Sequence, residues 1–282
     1  MVHVHHKDMR FDRERFLAAY SAALDALWPP HASFEVAGPF GVTRGLRLGP
    51  ATGEPVVLLH GWGSNAVAWY PTARLLGDSR PVYAIDTLGD AGRSVQHAPI
   101  SGPDDSAAWL DGVLDGLGLD RAHLVGESYG GWLALNVAAR WPGRVASLTV
   151  LDPIGLVPLR KRFYVWIVAC GSAALAPRPV RHRAATWLTA GALREDGLRR
   201  VSLAAVGFKQ GIRPPAVLDD ASLRRITVPV TVLLGARSAA FDAVRAADRA
   251  ALLPHGRVEI VPGAGHALRL DRPDVVDRIL TG

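Results

Sequence analysis

Six short apolar runs, each framed by Pro, Gly or polar turn residues, recur along this chain and constrain its fold more than any other feature. They occupy residues 55–61 (PVVLLHG), 81–87 (PVYAIDT), 122–128 (AHLVGES), 147–153 (SLTVLDP), 229–235 (PVTVLLG) and 257–263 (RVEIVPG). Each is too short for a typical helix, and most are rich in Val, Ile and Leu. Continuous apolar runs of this length mark strands buried on both faces, the condition of a parallel sheet. Parallel neighbours cannot be joined by tight turns, and helical patterns such as SAAWLDGVLDGLG and GGWLALNVAARW lie between the runs to supply the crossovers. The expectation is an α/β fold on a predominantly parallel, doubly wound sheet.

The flanking regions read differently. A helical pattern over residues 15–28 stops at Pro29-Pro30, which cannot continue a helix, so residues 1–30 read as an N-terminal helical segment. SFEVAG and FGVTRGLRLG follow, separated by Pro and Gly, and read as a hairpin. Between SLTVLDP and PVTVLLG the strand rhythm stops for about seventy-five residues, too long for a structureless loop inside a compact domain. Helical patterns broken by Pro make residues 156–225 a helical cap, inserted after the strand that ends at Asp152. The sheet-bearing core is then residues 31–155 and 226–282, and the cap carries Phe163, Tyr164, Trp166, Trp187 and Phe208.

Composition narrows the function classes. At 49% hydrophobic and 21% charged residues the chain is globular and not disordered. Its single cysteine, Cys170, excludes an internal disulfide and a cysteine metal cluster, and makes a reducing cytoplasm the expected compartment. The opening MVHVHHKDMRFDRERF has no apolar stretch after its charges, so no secretory signal is expected. The run over residues 163–176 is too short to span a bilayer and reads as a buried or surface-lying helix, without stable membrane insertion. His3, His5 and His6 read as part of a solvated terminus. No dinucleotide fingerprint, Walker loop or metal-ligand spacing is present, so no cofactor and no metal are expected. The net charge of +6 is uneven, with thirteen Lys or Arg against four Asp or Glu between residues 156 and 225. That is a specific basic surface on a mildly acidic body, and with no recognisable nucleic-acid module it does not imply nucleic-acid binding.

The chemistry concentrates at Gly126-Glu127-Ser128-Tyr129-Gly130, a Gly-x-Ser-x-Gly pattern between an apolar strand and a helix. The glycines permit a sharp turn that lifts the serine hydroxyl above the C-terminal edge of the sheet. The helix that follows offers backbone donors and a favourable dipole to an oxyanion. A turn serine without chemistry is the rival reading, and the strand-before, helix-after context favours the nucleophile. With LLHGWGSNAVAW (residues 58–69), DTLGDAGRS (86–94) and GAGHALRLDRPDVV (263–276), the chain resembles the α/β-hydrolase fold family over roughly residues 34–280. The resemblance implies Ser128 as nucleophile and His266 as its base. It also implies an oxyanion hole from the backbone N–H groups of Trp62 and Tyr129. His60 reads as a loop-orienting residue.

One position departs from the pattern. The family most often places the triad acid three residues beyond the glycine of the strand matched by VTVLLG, and here that position is Ser238. Asp152, at the end of the preceding strand, is the favoured substitute; Asp242, four residues past Ser238, is the alternative acid; a site without any acid is the third possibility. The leading expectation is a serine-dependent hydrolase of a hydrophobic ester, thioester or lactone acting through an acyl-enzyme. A non-hydrolytic lyase or cyclase of the same fold follows if the acid is missing, and a non-catalytic small-molecule-binding protein is the remaining class. The expected partner is a small hydrophobic substrate, free or linked to CoA or a carrier protein, which Arg160, Arg162, Arg178, Arg181 and Arg183 on the cap would meet.

Overall fold

The computed structural model describes residues 11–213 and 215–282, and the histidines at positions 3, 5 and 6 lie outside them. Its first helix, α1 (Arg13–Leu27), is capped by Asp12, whose carboxylate accepts the Arg15 N–H at 3.0 Å. Phe16, Tyr20, Ala23 and Leu24 recur on one face of α1 at helical spacing and are buried. The strands β1 (Ala32–Gly38) and β2 (Gly41–Leu48) then form an antiparallel hairpin closed at Gly38 and Gly41. Next come β3 (Val56–Leu59), β4 (Val82–Asp86), the two-residue β5 (Val95–Gln96), β6 (Ala122–Glu127), β7 (Val145–Leu151), β8 (Val230–Gly235) and β9 (Gly256–Val261). All six apolar runs of the sequence are strands, and each pairs in parallel with its neighbours among the six. Their shared order in the sheet is β1-β2-β4-β3-β6-β7-β8-β9, with β5 attached to β2.

That order fixes where a ligand can sit. From β3 the chain first moves outward to β4 and later returns to β6 on the other side of β3. The loops leaving β3 and β6 therefore diverge, opening a crevice at the C-terminal ends of the strands. Helices α2 (Tyr70–Leu76), α3 (Pro103–Gly116), α4 (Tyr129–Arg140), α9 (Ala243–Ala250) and α11 (Pro273–Thr281) belong to the layers that cover the sheet, and the single-turn α10 (Leu268–Asp271) leads into the last of them. Strand residues alternate between the two layers. Val57, Leu59, Leu124, Val150 and Val232 join one core, whereas Val56, Leu58, Val125, Leu151 and Leu233 join the other. This two-faced burial is why the strands lack polar alternation, and each such side chain contributes roughly 2 kcal/mol of transfer free energy.

Between β7 and β8 lie α5 (Lys161–Ala174), α6 (Arg178–Leu188), a 3-10 turn at Gly191–Arg194, α7 (Asp196–Ala204) and the short α8 (Asp220–Arg224). The first three helices form the layer over the crevice, whereas α8 packs against α4 in the body. The N-terminal helix packs against α7 and so braces this layer from outside. Among the described residues no helix is long and apolar enough to cross a membrane.

Candidate active site

Ser128 stands at the junction of β6 and α4 with φ 54° and ψ −114°, a conformation disfavoured for any residue with a side chain. Such strain costs on the order of 1–3 kcal/mol and persists only where surrounding bonds over-determine it. Here the Ser128 N–H donates to the Leu151 carbonyl at 2.9 Å, while its own carbonyl accepts from Trp132 at 3.1 Å and Ile154 at 3.3 Å. The flanking glycines are required by space. A Cβ on Gly126 would lie 2.3 Å from the Gly130 oxygen, and one on Gly130 would lie 2.0 Å from the Leu59 oxygen. The first turn of α4 can therefore pack against the end of its own strand β6 only if position 126 lacks a side chain, and against β3 only if position 130 does.

His266 and Asp152 reach the serine because their loops leave neighbouring strands at the same sheet edge. The ends of β6 and β7 are paired through Glu127 and Leu151, those of β7 and β8 through Leu151 and Leu233, and those of β8 and β9 through Gly235 and Val261. The His266 Nε2 lies 2.9 Å from Ser128 Oγ, and its Nδ1 lies 2.6 Å from Asp152 Oδ2. Asp152 also has positive φ, 45°, which an aspartate tolerates better than most residues, and its side chain is fully buried. Its Oδ1 accepts the Gly235 N–H at 2.9 Å, and Oδ2 accepts the Ser238 hydroxyl at 2.5 Å. Ser238 therefore supports the carboxylate that the sequence pattern would have led one to expect at its own position.

Asp242, the alternative acid, is placed elsewhere. Its carboxylate caps α9, accepting from the Val244 and Arg245 amides, and faces Arg160 at 3.6 Å. An acid committed to a helix terminus on the surface cannot also orient His266. The carboxylate that does contact the histidine directly is that of Asp152.

The loop after β3 closes the other side. A Cβ on Gly61 would lie 3.2 Å from Ser128 Cβ and 3.8 Å from its Oγ, so this backbone passes directly over the serine. Neither the Trp62 amide nor the Tyr129 amide, the first of α4, finds an acceptor among the described residues. His60 Nε2 accepts the Thr87 N–H at 3.0 Å and its Nδ1 faces the Gly61 carbonyl at 2.9 Å, which orients the loop. Asp90 holds its far end by accepting from Gly63 at 2.8 Å and from Gln210 at 3.2 Å. Burial raises the Asp90 carboxyl above the ordinary carboxylate range.

Above these groups lies a cavity of about 500 Å³, lined by Trp62, Phe163, Tyr164, Trp166, Leu198 and Val201 among others. Phe163 and Trp166 of α5 meet the His266 ring edge-on, at centroid distances of 4.9 and 6.0 Å. The cap thus packs against the imidazole and keeps its surroundings apolar. The cationic Arg269 at the wall donates to Glu127 at 3.0 Å and lies over the Trp69 ring. Asp271 accepts from Gly191 in the cap at 2.8 Å and from Gly265, next to His266, at 3.0 Å, so one carboxylate ties the two together. Burial pushes it up to about 6.

Sequence reasoning missed Ser238 as a donor, the Glu127–Arg269 pair and the Asp271 tie. Only Ser238 carried a signal, its departure from the expected acid. The cap arginines do not enter the cavity: Arg162 donates to carbonyls of the Ser238–Phe241 loop, and Arg181 pairs with Asp196 at 2.6 Å.

A model of the alpha/beta hydrolase family matches residues 56–279. The chain is 31% identical over 276 residues to the carboxylesterase YbfK of Bacillus subtilis (strain 168), covering 94% of this chain and 91% of that one. The crystal structure of carboxylesterase CesB (YbfK) from Bacillus subtilis superposes with a TM-score of 0.84 at 29% identity, over 95% of this chain and 96% of that one. That of naproxen esterase (carboxylesterase NP) from the same organism gives 0.84 at 28% identity, over 96% and 97%.

Proposed function

The chain belongs to the alpha/beta hydrolase family, and on that premise we propose that it hydrolyses carboxylic esters with a hydrophobic portion through an acyl-enzyme on Ser128. The observation that carries this reading is the unbroken hydrogen-bond line from Ser128 Oγ through His266 to Asp152, opening onto a largely apolar cavity. The likeness to a carboxylesterase and to a naproxen esterase, each over most of both chains, supports it. The lyase or cyclase alternative rested on a missing acid, and the 2.6 Å contact between His266 Nδ1 and Asp152 supports hydrolysis over it.

In this reading His266 Nε2 takes the Ser128 proton as Oγ bonds to the ester carbonyl carbon. The charge that develops on the carbonyl oxygen is met by the Trp62 and Tyr129 amides, each such donor being worth about 10²–10³ in turnover. The carbon–oxygen bond to the alcohol then breaks, and the alcohol leaves with the proton held by His266. Water attacks the acyl-serine with His266 again as base, and the proton returns to Oγ as the acid is released. Asp152 keeps Nδ1 protonated, which leaves Nε2 free to accept, and it stabilises the imidazolium.

The test is direct. A fluorophosphonate probe should label the protein stoichiometrically on the peptide bearing Ser128, and a short-chain p-nitrophenyl ester should be turned over at a rate the label abolishes. Label on another residue, or turnover that survives full labelling, would reject the assignment.

Ser238 gives a finer expectation. Ser238→Ala should lower folding stability by roughly 1–2 kcal/mol, because Asp152 loses one charge-assisted donor in a buried place. Turnover should fall less than about tenfold, since the Gly235 amide and His266 still hold the carboxylate. Urea unfolding and kcat measured together check both. A loss as large as that expected from altering Asp152 itself would show that Ser238 does more than support it.

A further inference from the structure

The cap turns a second apolar face outward. Helix α5 is apolar on both sides. Phe163 and Trp166 face His266, whereas Val165, Val168 and the flanking Leu175 recur on the opposite side at helical spacing, each about 70% exposed. On the neighbouring α6, Val180 and Trp187 are likewise exposed, Trp187 at 78%. A single exposed valine is ordinary, but a cluster of large apolar side chains on two adjacent helices marks a surface that is covered in use. A helix apolar all round needs a second apolar neighbour.

Charge identifies the neighbour. Between Asp152 and Glu195 the chain has no acidic residue, and it has seven Lys or Arg. Arg162 and Arg181 are turned to internal partners. Lys161, Arg178 and Arg183 are exposed and have no acidic partner among the described residues. A second copy of this chain, docked by the same face about a two-fold axis, would set these cations against one another. An anionic lipid surface satisfies both features, accepting the apolar side chains below the headgroups and the cations at their level.

We propose that the outer face of α5 and α6 is a peripheral docking surface for anionic lipid membranes. Tyr164 and Ile167 both line the cavity and reach solvent, at 49% and 43% exposure, so the cavity mouth lies at the edge of this face. Hydrophobic molecules dissolved in the lipid would pass from it to the cavity without crossing bulk water. The docking is interfacial, with no span, and its test does not depend on catalysis.

Sedimentation with phosphatidylglycerol-containing vesicles, against pure phosphatidylcholine vesicles, is the experiment. The protein should sediment with the anionic vesicles at low ionic strength, and high salt should release it. Each cation at the surface contributes about fivefold, so Lys161→Glu with Arg183→Glu should weaken binding at least about 25-fold. Val165→Asp with Val168→Asp should abolish it. Neither pair lines the cavity, and a far-UV circular dichroism spectrum and thermal midpoint matching those of the wild type show that the variants fold. Absence of sedimentation at low salt overturns the proposal, as does binding that the variants leave intact. Self-association of the wild type that Val165→Asp with Val168→Asp removes would assign the face to a second copy instead, and also overturns it.

Discussion

Ser128→Ala should lower kcat for a p-nitrophenyl ester by about a millionfold while leaving KM nearly unchanged, as expected when the nucleophile of a cooperating set is removed. The change deletes one oxygen. The elbow, the two free amides and the cavity remain, so substrate still binds and the developing oxyanion still meets its donors. Some rate above that in water should therefore persist, from positioning and oxyanion stabilisation alone. Alanine adopts the positive φ at this position with about the strain that serine has, and the Leu151, Trp132 and Ile154 backbone bonds do not involve the side chain. The thermal midpoint should accordingly stay close to that of the wild type, which separates a catalytic loss from unfolding. A variant that retains turnover within tenfold of wild type would remove Ser128 from the mechanism.

Asp152→Asn should cost about ten-thousandfold in kcat, the scale on which a triad fails when its histidine is held in the wrong tautomer. The geometry leaves the amide no good orientation. One oxygen of Asp152 accepts from Gly235, and the other accepts from both Ser238 and His266. If the amide nitrogen faces His266, it donates to Nδ1, drives the proton to Nε2 and prevents that nitrogen from accepting the serine proton. If it turns the other way, it opposes the Gly235 N–H with a second donor. Either arrangement strands a buried donor, so stability should also fall, by roughly 1–3 kcal/mol. Asp242→Asn is the paired measurement. Its carboxylate caps α9 on the surface, and turnover should change little. Retention of activity in Asp152→Asn together with its loss in Asp242→Asn would reverse the assignment.

These two expectations mark how far the sequence carries. The elbow at Ser128 was legible because it imposes local requirements. A nucleophile on a sharp turn needs small residues at 126 and 130, and those glycines are visible in the chain as a pattern. The acid had no comparable signature. Any carboxylate that ends a strand at the correct sheet edge can reach the histidine, and Asp152 and Asp242 both stood near such an edge. Which one does so depends on the lateral order β7-β8-β9 and on the direction each loop takes, quantities set by packing across strands far apart in sequence. The Glu127–Arg269 pair illustrates the same limit, since its members are separated by 142 positions and neither lies in a pattern that implies the other.

What the sequence by itself determined is the kind of fold and the place of its chemistry. Continuous apolar runs of strand length can be satisfied only by burial on both faces, and the glycine-flanked serine can be presented only at a strand end. Both follow from steric and solvation rules that act over a few residues. What only the tertiary structure decided is the cooperation of distant groups: Ser238 donating to Asp152, Asp271 joining cap to histidine loop, and α5 placing aromatics against His266 on one side and bare valines on the other. Hydrogen bonds and exposure are properties of relative position. Relative position is fixed when the whole chain packs, because burial of the sheet's two faces sets where each loop must end.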